Sequence, residues 1–107
     1  METFILLMFD DEIWQEFSEE QQSFWIGKIR EFAKSIDSRI IQADPLNSVG
    51  RVLTMDKVEV VDFAGNPNAA TGYFIFQATD FDEAVEVAST CPTLEFGGRI
   101  QLRRVGH

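Results

Sequence analysis

A chain of 107 residues that is 45% hydrophobic and 25% charged can build one core but not two, so residues 1–107 read as a single domain that needs no disulfide or structural metal. Eighteen acidic side chains against nine basic ones leave a formal charge of −9, which excludes the basic footprint that a nucleic acid or an anionic membrane would require. One cysteine, Cys91, excludes an intramolecular disulfide, and no Cys/His spacing suits zinc.

Phe4 to Phe9 is a run of six apolar residues closed by Asp10-Asp11. It is too short for a membrane span and lacks the basic start of a signal peptide, so a cytoplasmic protein is expected. The run reads as a strand buried on both faces. A short amphipathic turn, Glu12 to Phe17, leads to a helix start at Ser18. Gln21 three residues on completes a capping box, and Glu19 and Glu20 suit the positive end of the helix dipole. Trp25, Ile29, Phe32, Ala33 and Ile36 recur at spacings of three and four, which predicts a helix to about Ile36, ended by Asp37-Ser38.

Arg39 to Ala43 should be a second strand, stopped by Asp44-Pro45. After a loop through Gly50, Arg51 to Met55 and Val58 to Val61 read as two strands joined at Asp56-Lys57. Residues 63–70 form a loop with Gly65, Asn66, Pro67 and Asn68 as its breakers. Tyr73 to Ala78 is the most strand-like segment of the chain. Asp80, with Glu83 three residues on, caps a second helix whose apolar face is Phe81, Ala84, Val85 and Ala88, and Pro92 terminates it. Gly97-Gly98 leads into a last strand, Arg99 to Val105.

The order is strand, helix, strand, a hairpin region, then strand, helix, strand. It predicts an α+β domain of the ferredoxin-like kind, with two helices on one face of a mainly antiparallel sheet. Strands such as Phe4–Phe9 and Tyr73–Ala78 are apolar on both sides, and two helices cover one. The cheapest cover for the other is the same face of a second copy, so a homodimer is expected; the plainer alternative is a monomer with a loop laid across that face.

Several strings, in order and spacing, resemble the YCII-related superfamily and in particular its DGPF-type branch. They are Phe4-Ile-Leu-Leu-Met-Phe9 with Ser18-Glu-Glu-Gln21, then Val60-Val61-Asp62 and Gly72-Tyr73-Phe74, then Phe81-Asp-Glu-Ala-Val-Glu-Val-Ala88 with Cys91-Pro92, and finally Gly98-Arg-Ile-Gln-Leu-Arg103. The resemblance implies a dimeric ferredoxin-like fold, an α/β-barrel-like assembly, with a cleft near the dimer interface. It implies no activity, because most of that family has none assigned. The chain departs from the pattern where the branch takes its name: only Asp62 of Asp-Gly-Pro-Phe aligns, and the Glu and Lys that follow in the family have no counterparts. Gln101 and Arg104 stand where Glu and Pro are usual, and there is no internal histidine to match the histidine–aspartate pair of some members.

Asp62, where a strand gives way to a loop, is the candidate general base or hydroxyl holder, with an Asx-turn residue as its plainer role. Asn66 and Asn68 could bind a polar ligand, though Asn-Pro-Asn is ordinary turn chemistry. Strand alternation sends Arg99 and Arg103 to one face and Arg104 to the other. Arg103 is the candidate for a carboxylate or phosphate, with charge balance as its plainer role. Tyr73 or Phe74 would supply an apolar floor. Cys91 reads as a small buried hydrophobe, Trp14 and Trp25 as packing residues, and His107 as an inert terminus. Together these predict a binding or regulatory domain for a small apolar or anionic molecule, with no metal and no cofactor. The alternative is a cofactor-independent isomerase or lyase that transfers a proton with Asp62 and Arg103, and a cofactor-free monooxygenase is a distant third.

Overall fold

In the first strand every second side chain is shut away from solvent, and that alternation sets the layers. The structure is a computed structural model and describes residues 1–106. Strand β1 (Glu2–Phe9) lies between β5 (Gly72–Ala78) and β6 (Arg99–Arg104), and β2 (Ile40–Pro45) pairs on the far side of β5. The sheet order is therefore β2-β5-β1-β6, with every neighbouring pair antiparallel. The molecule is an α+β fold.

Phe4, Leu6 and Met8 of β1 alternate with Ile5, Leu7 and Phe9, and Phe74, Phe76 and Ala78 of β5 alternate with Tyr73, Ile75 and Gln77. The first member of each set is buried and the second is half-buried. Two helices pack on the buried set. Helix α2 (Glu19–Ser35) contributes Phe32 and its C-cap Ile36, and α3 (Phe81–Ala88) contributes Ala84 and Ala88; Cys91 closes the same cluster. Phe32 meets Phe74 edge-on at 5.2 Å between ring centroids. Burial pushes the Cys91 thiol pKa up, in keeping with a packing role.

Both helix starts are built as their sequences predict. Ser18 Oγ accepts from the Gln21 amide at 3.1 Å, and Gln21 Oε1 accepts from the Ser18 amide at 2.9 Å. Asp80 Oδ1 accepts from the Glu83 amide at 3.0 Å. Glu83 also receives the Arg39 guanidinium at 2.6 Å, which holds its carboxyl below the ordinary range and ties α3 to the turn before β2.

The structure differs from the sequence expectations in several places, one being that β2 runs on through Asp44 and Pro45, the residues expected to stop it. Helix α3 ends at Ala88, and Pro92 opens a further short helix, α4 (Pro92–Glu95), as its first residue, where the fixed proline φ fits and no amide is missed. Val85 points to solvent and Val87 packs inward, because the helix rotates to bury the two alanines against the sheet. The hairpin strands are β3 (Val49–Leu53) and β4 (Val58–Asp62), so the first begins two residues earlier than its apolar run suggests; the Phe63 amide reaches the Ser48 carbonyl at 2.7 Å and extends the pairing at its root. The short amphipathic turn near the start is a single helical turn, α1 (Asp11–Trp14). Strands β3 and β4 form a separate two-stranded arm.

Gly98 sits where Thr93 and Asp10 crowd it. A Cβ there would lie 2.8 Å from Thr93 Cγ2, 2.9 Å from Asp10 Cβ and 3.0 Å from the Thr93 carbonyl oxygen. Gly27, within α2, has nothing within 4 Å. Gly98→Ala is therefore expected to lower unfolding free energy by about 1–3 kcal/mol, while Gly27→Ala raises it by about 0.5–1 kcal/mol. Urea titration of both variants measures the two changes, and a neutral Gly98→Ala would show that the crowding is relieved at no cost.

Candidate functional site

The end of β1 delivers a carboxylate into the protein interior. Asp10 follows the buried strand directly and is 6% exposed. Its backbone carbonyl accepts from the amides of Ile13 (3.1 Å) and Trp14 (2.9 Å), which starts α1. The side chain takes no part in that cap. Instead Thr71 Oγ1 donates to Asp10 Oδ1 at 2.8 Å, and Thr93 Oγ1, fully buried on α4, donates more weakly to Oδ2 at 3.4 Å. The Thr71 amide in turn donates to the Met8 carbonyl at 2.8 Å. One carboxylate thus joins the strand end, the loop before β5 and α4.

Asp10 lines a cleft of about 1090 Å³ between α2 and the end of the sheet. Ile26, Ile29 and Ala33 of α2 form one wall, Met8 and Phe74 the floor, and Trp14 an end. The polar side chains are Asp10, Thr71, Asp11, Asp44, Tyr73, Asn47 and Ser48 from the segment before β3 and, exposed on α2, Arg30. This is the usual make-up of a small-molecule site, apolar walls with a handful of placed polar groups. A second hollow of about 270 Å³ between α2 and α4 has Lys28, Glu31 and Glu95 at its edge and includes no buried charged group.

Burial pushes the Asp10 carboxyl pKa up, and the neighbouring charges of Asp11 and Glu12 push the same way, while the two threonine hydroxyls oppose the shift. Tyr73 donates its hydroxyl to Asp44 Oδ2 at 2.9 Å, and Gln42 Nε2 donates to both Asp44 Oδ2 (3.2 Å) and the Tyr73 oxygen (2.8 Å). Asp44 as acceptor holds the Tyr73 phenol above its ordinary pKa.

Of the residues singled out from sequence, Tyr73, Phe74 and Trp14 line this cleft, and Asp62, Asn66, Asn68 and Arg103 do not. Asp62 ends β4 in the arm, where its Oδ1 accepts from the Ala64 amide at 3.0 Å, an Asx-turn. Asn66 makes the same kind of turn, accepting from the Asn68 amide at 2.8 Å, and Asn68 Oδ1 accepts from Arg99 at 3.4 Å. Arg103 lies on β6 directly across from Ile5, on the sheet face opposite the helices. The structure does not bring Asp62 and Arg103 into one cleft. Arg104 is on the other side, paired with Glu2 at 3.0 Å, as alternation predicts. His107 lies outside the described residues. Among the described residues no three Asp, Glu, Cys or His side chains are grouped to hold a metal ion.

Asp10 itself is the group that sequence reading passed over, taken only as a strand stop. Its neighbours are 61 and 83 positions away, so the one local signal was an acid following directly on a fully buried strand.

No protein-family model matches the chain, and no curated protein matches it.

An acid whose folded pKa is raised binds its proton more tightly in the native state, so it takes stability away as pH rises from its ordinary range through the folded value. Asp10→Asn removes that titration. The melting temperature of the variant minus that of the wild type is expected to grow more positive between about pH 4 and about pH 7. Thermal melts across that window check it, and a constant or falling difference would mean that the buried carboxylate is fully compensated.

Proposed function

We propose that this chain is a binding domain for a small, largely apolar molecule, held in the cleft between α2 and the end of the sheet. The observation that carries it is the combination of aliphatic and aromatic walls with one buried carboxyl at the floor. Proton transfer by Asp62 and Arg103 would need both side chains in one cleft, and neither lines this one.

We propose further that the working form is a homodimer with a ferredoxin-like protomer. The ferredoxin-like assignment is supported by the strand order β2-β5-β1-β6, all antiparallel, with α2 and α3 burying against one face. It agrees with the resemblance to the YCII-related superfamily, which is likewise a proposal. Dimerisation is supported by the other face, where Ile5 and Leu7 of β1 stand beside Ile75 and Tyr73 of β5 and no residue of the helix-side core reaches. Arg99, Gln101 and Arg103 border that strip along β6 and Asp44 borders it along β2, so in a chain of charge −9 this face carries more basic than acidic groups.

Two experiments test these proposals. Nile red, a neutral apolar dye, should bind the wild type with a fluorescence rise, and Ile26→Glu, which puts a charge on an already part-exposed cleft wall, should weaken that binding about tenfold or more; equal binding by the variant would place the dye elsewhere and remove the cleft from the account. Light scattering after size exclusion should return about twice 12.2 kDa for the wild type and the single-chain mass for Leu7→Glu. A wild type that runs at 12.2 kDa at tens of micromolar would end the homodimer proposal.

A further inference from the structure

We propose that the ligand of the cleft is an amphipathic amine, an apolar body with a cationic head, whose ammonium is held by the Asp10 carboxyl. This deepens the binding role assigned to the same cleft and rests on it.

The charges around the cleft are unbalanced. Three carboxylates, Asp10, Asp11 and Asp44, face one guanidinium, Arg30. Arg30 is exposed on α2, where solvent screens it. The ion pairs among the described residues join Lys28 to Glu31, Arg39 to Glu83, Lys57 to Glu59 and Arg104 to Glu2, so none of the three cleft carboxylates has a cationic partner in its own chain.

Asp10 is the telling member. It is nine-tenths buried, and its oxygens accept only from neutral hydroxyls, one of them at a long 3.4 Å. An ionised carboxylate offers about four acceptor positions, so capacity remains for a charged donor. A buried carboxylate without a counter-charge is costly, and an ammonium supplies both the charge and the hydrogen bond. The other heads fare worse. A carboxylate or phosphate would add a fourth anion to the group, in a chain already at −9. A neutral head would bring Asp10 no counter-charge.

The rest of the ligand must be apolar. Ile26 and Ile29 offer aliphatic wall, and Trp14 adds a ring that favours both a hydrocarbon surface and a nearby cation. A volume of about 1090 Å³ is larger than a lone amino acid requires and suits a molecule of drug-like size.

A matched series separates the head group from the body: phenylbutylamine, phenylbutanol and phenylbutyrate, titrated calorimetrically into the whole chain at low ionic strength. The amine should bind at least about tenfold more tightly than either of the others, the range of a charge-assisted hydrogen bond. In Asp10→Asn that preference should fall to within about threefold while the alcohol's affinity holds. An alcohol or carboxylate that binds the wild type as tightly as the amine overturns the amine assignment, whatever the variant does, and leaves the cleft standing. A preference that survives Asp10→Asn, in a variant whose circular dichroism matches the wild type, overturns Asp10 as the holder. If none of the three binds while Nile red does, the amine assignment fails alone; if Nile red also fails, the cleft itself is not a binding site.

Discussion

Two strands, β1 and β5, carry apolar side chains on both of their faces, and each layer of the molecule is fixed by how those faces are divided. A strand's side chains alternate strictly, so placing Phe4, Leu6 and Met8 under the helices commits Ile5, Leu7 and Phe9 to the other side. The pairing of Leu6 with Phe74 and of Phe4 with Phe76 makes the same commitment for β5. A register slip of one residue would carry Phe74 and Phe76 out of the core and bring Tyr73 and Gln77 into it, which is why the pairing is strongly specified. The helices then have one surface to meet. Their alanines, Ala84 and Ala88, let α3 approach it closely, and Phe32 and Ile36 fill the space under α2.

The same strand also explains the buried carboxylate. β1 is central, so the residue at its end remains enclosed by its neighbours instead of emerging at an edge. Asp10 inherits that enclosure, and the chain answers with two hydroxyls brought from distant segments rather than with a cation. Crowding at Gly98 belongs to the same arrangement: Thr93 and Asp10 close in from two sides, and its amide donates to the Thr93 carbonyl at 2.8 Å. Among the described residues no buried side-chain polar atom is left without a hydrogen bond. Asp10 is thus satisfied in hydrogen bonding by neutral hydroxyls, with no cation beside it among the described residues.

What could be read from sequence divides along physical lines. Local rules worked where the determining partners are local. The capping box at Ser18 and Gln21, the Asp80 cap, the Asx-turn at Asp62 and the alternation that separates Arg103 from Arg104 each involve residues within a few positions of one another. Reading failed where the partner is distant or where packing overrides pattern. Val85 has the helical spacing of a core residue, yet the sheet takes Val87. Pro92 marks a boundary, but a proline suits the first position of a new helix as well as the end of an old one, and here it opens α4. Asp10 is the extreme case. Nothing near it in sequence distinguishes a strand-ending acid in water from one sealed beneath a cleft, because Thr71 and Thr93 arrive only when the sheet is assembled.

The cleft and the open sheet face are not independent surfaces. A register shift between Ile40 and Gln42 turns the rest of β2 so that Gln42 and Asp44 stand across from Ile75 and Tyr73, on the open side. Tyr73, Asp44 and Gln42 are linked by hydrogen bonds there, and Tyr73 and Asp44 also line the cleft. The cleft therefore runs to the edge of the sheet and reaches the face that a second copy would cover. A copy docked on Ile5, Leu7 and Ile75 would stand beside Asp44 and exclude water from it, and a desolvated Asp44 attracts a cation more strongly than a wet one. In the proposed homodimer, assembly and ligand charge preference would then follow from one feature of the chain, the apolar second face of β1 and β5, with Asp44 at the point where the two surfaces meet.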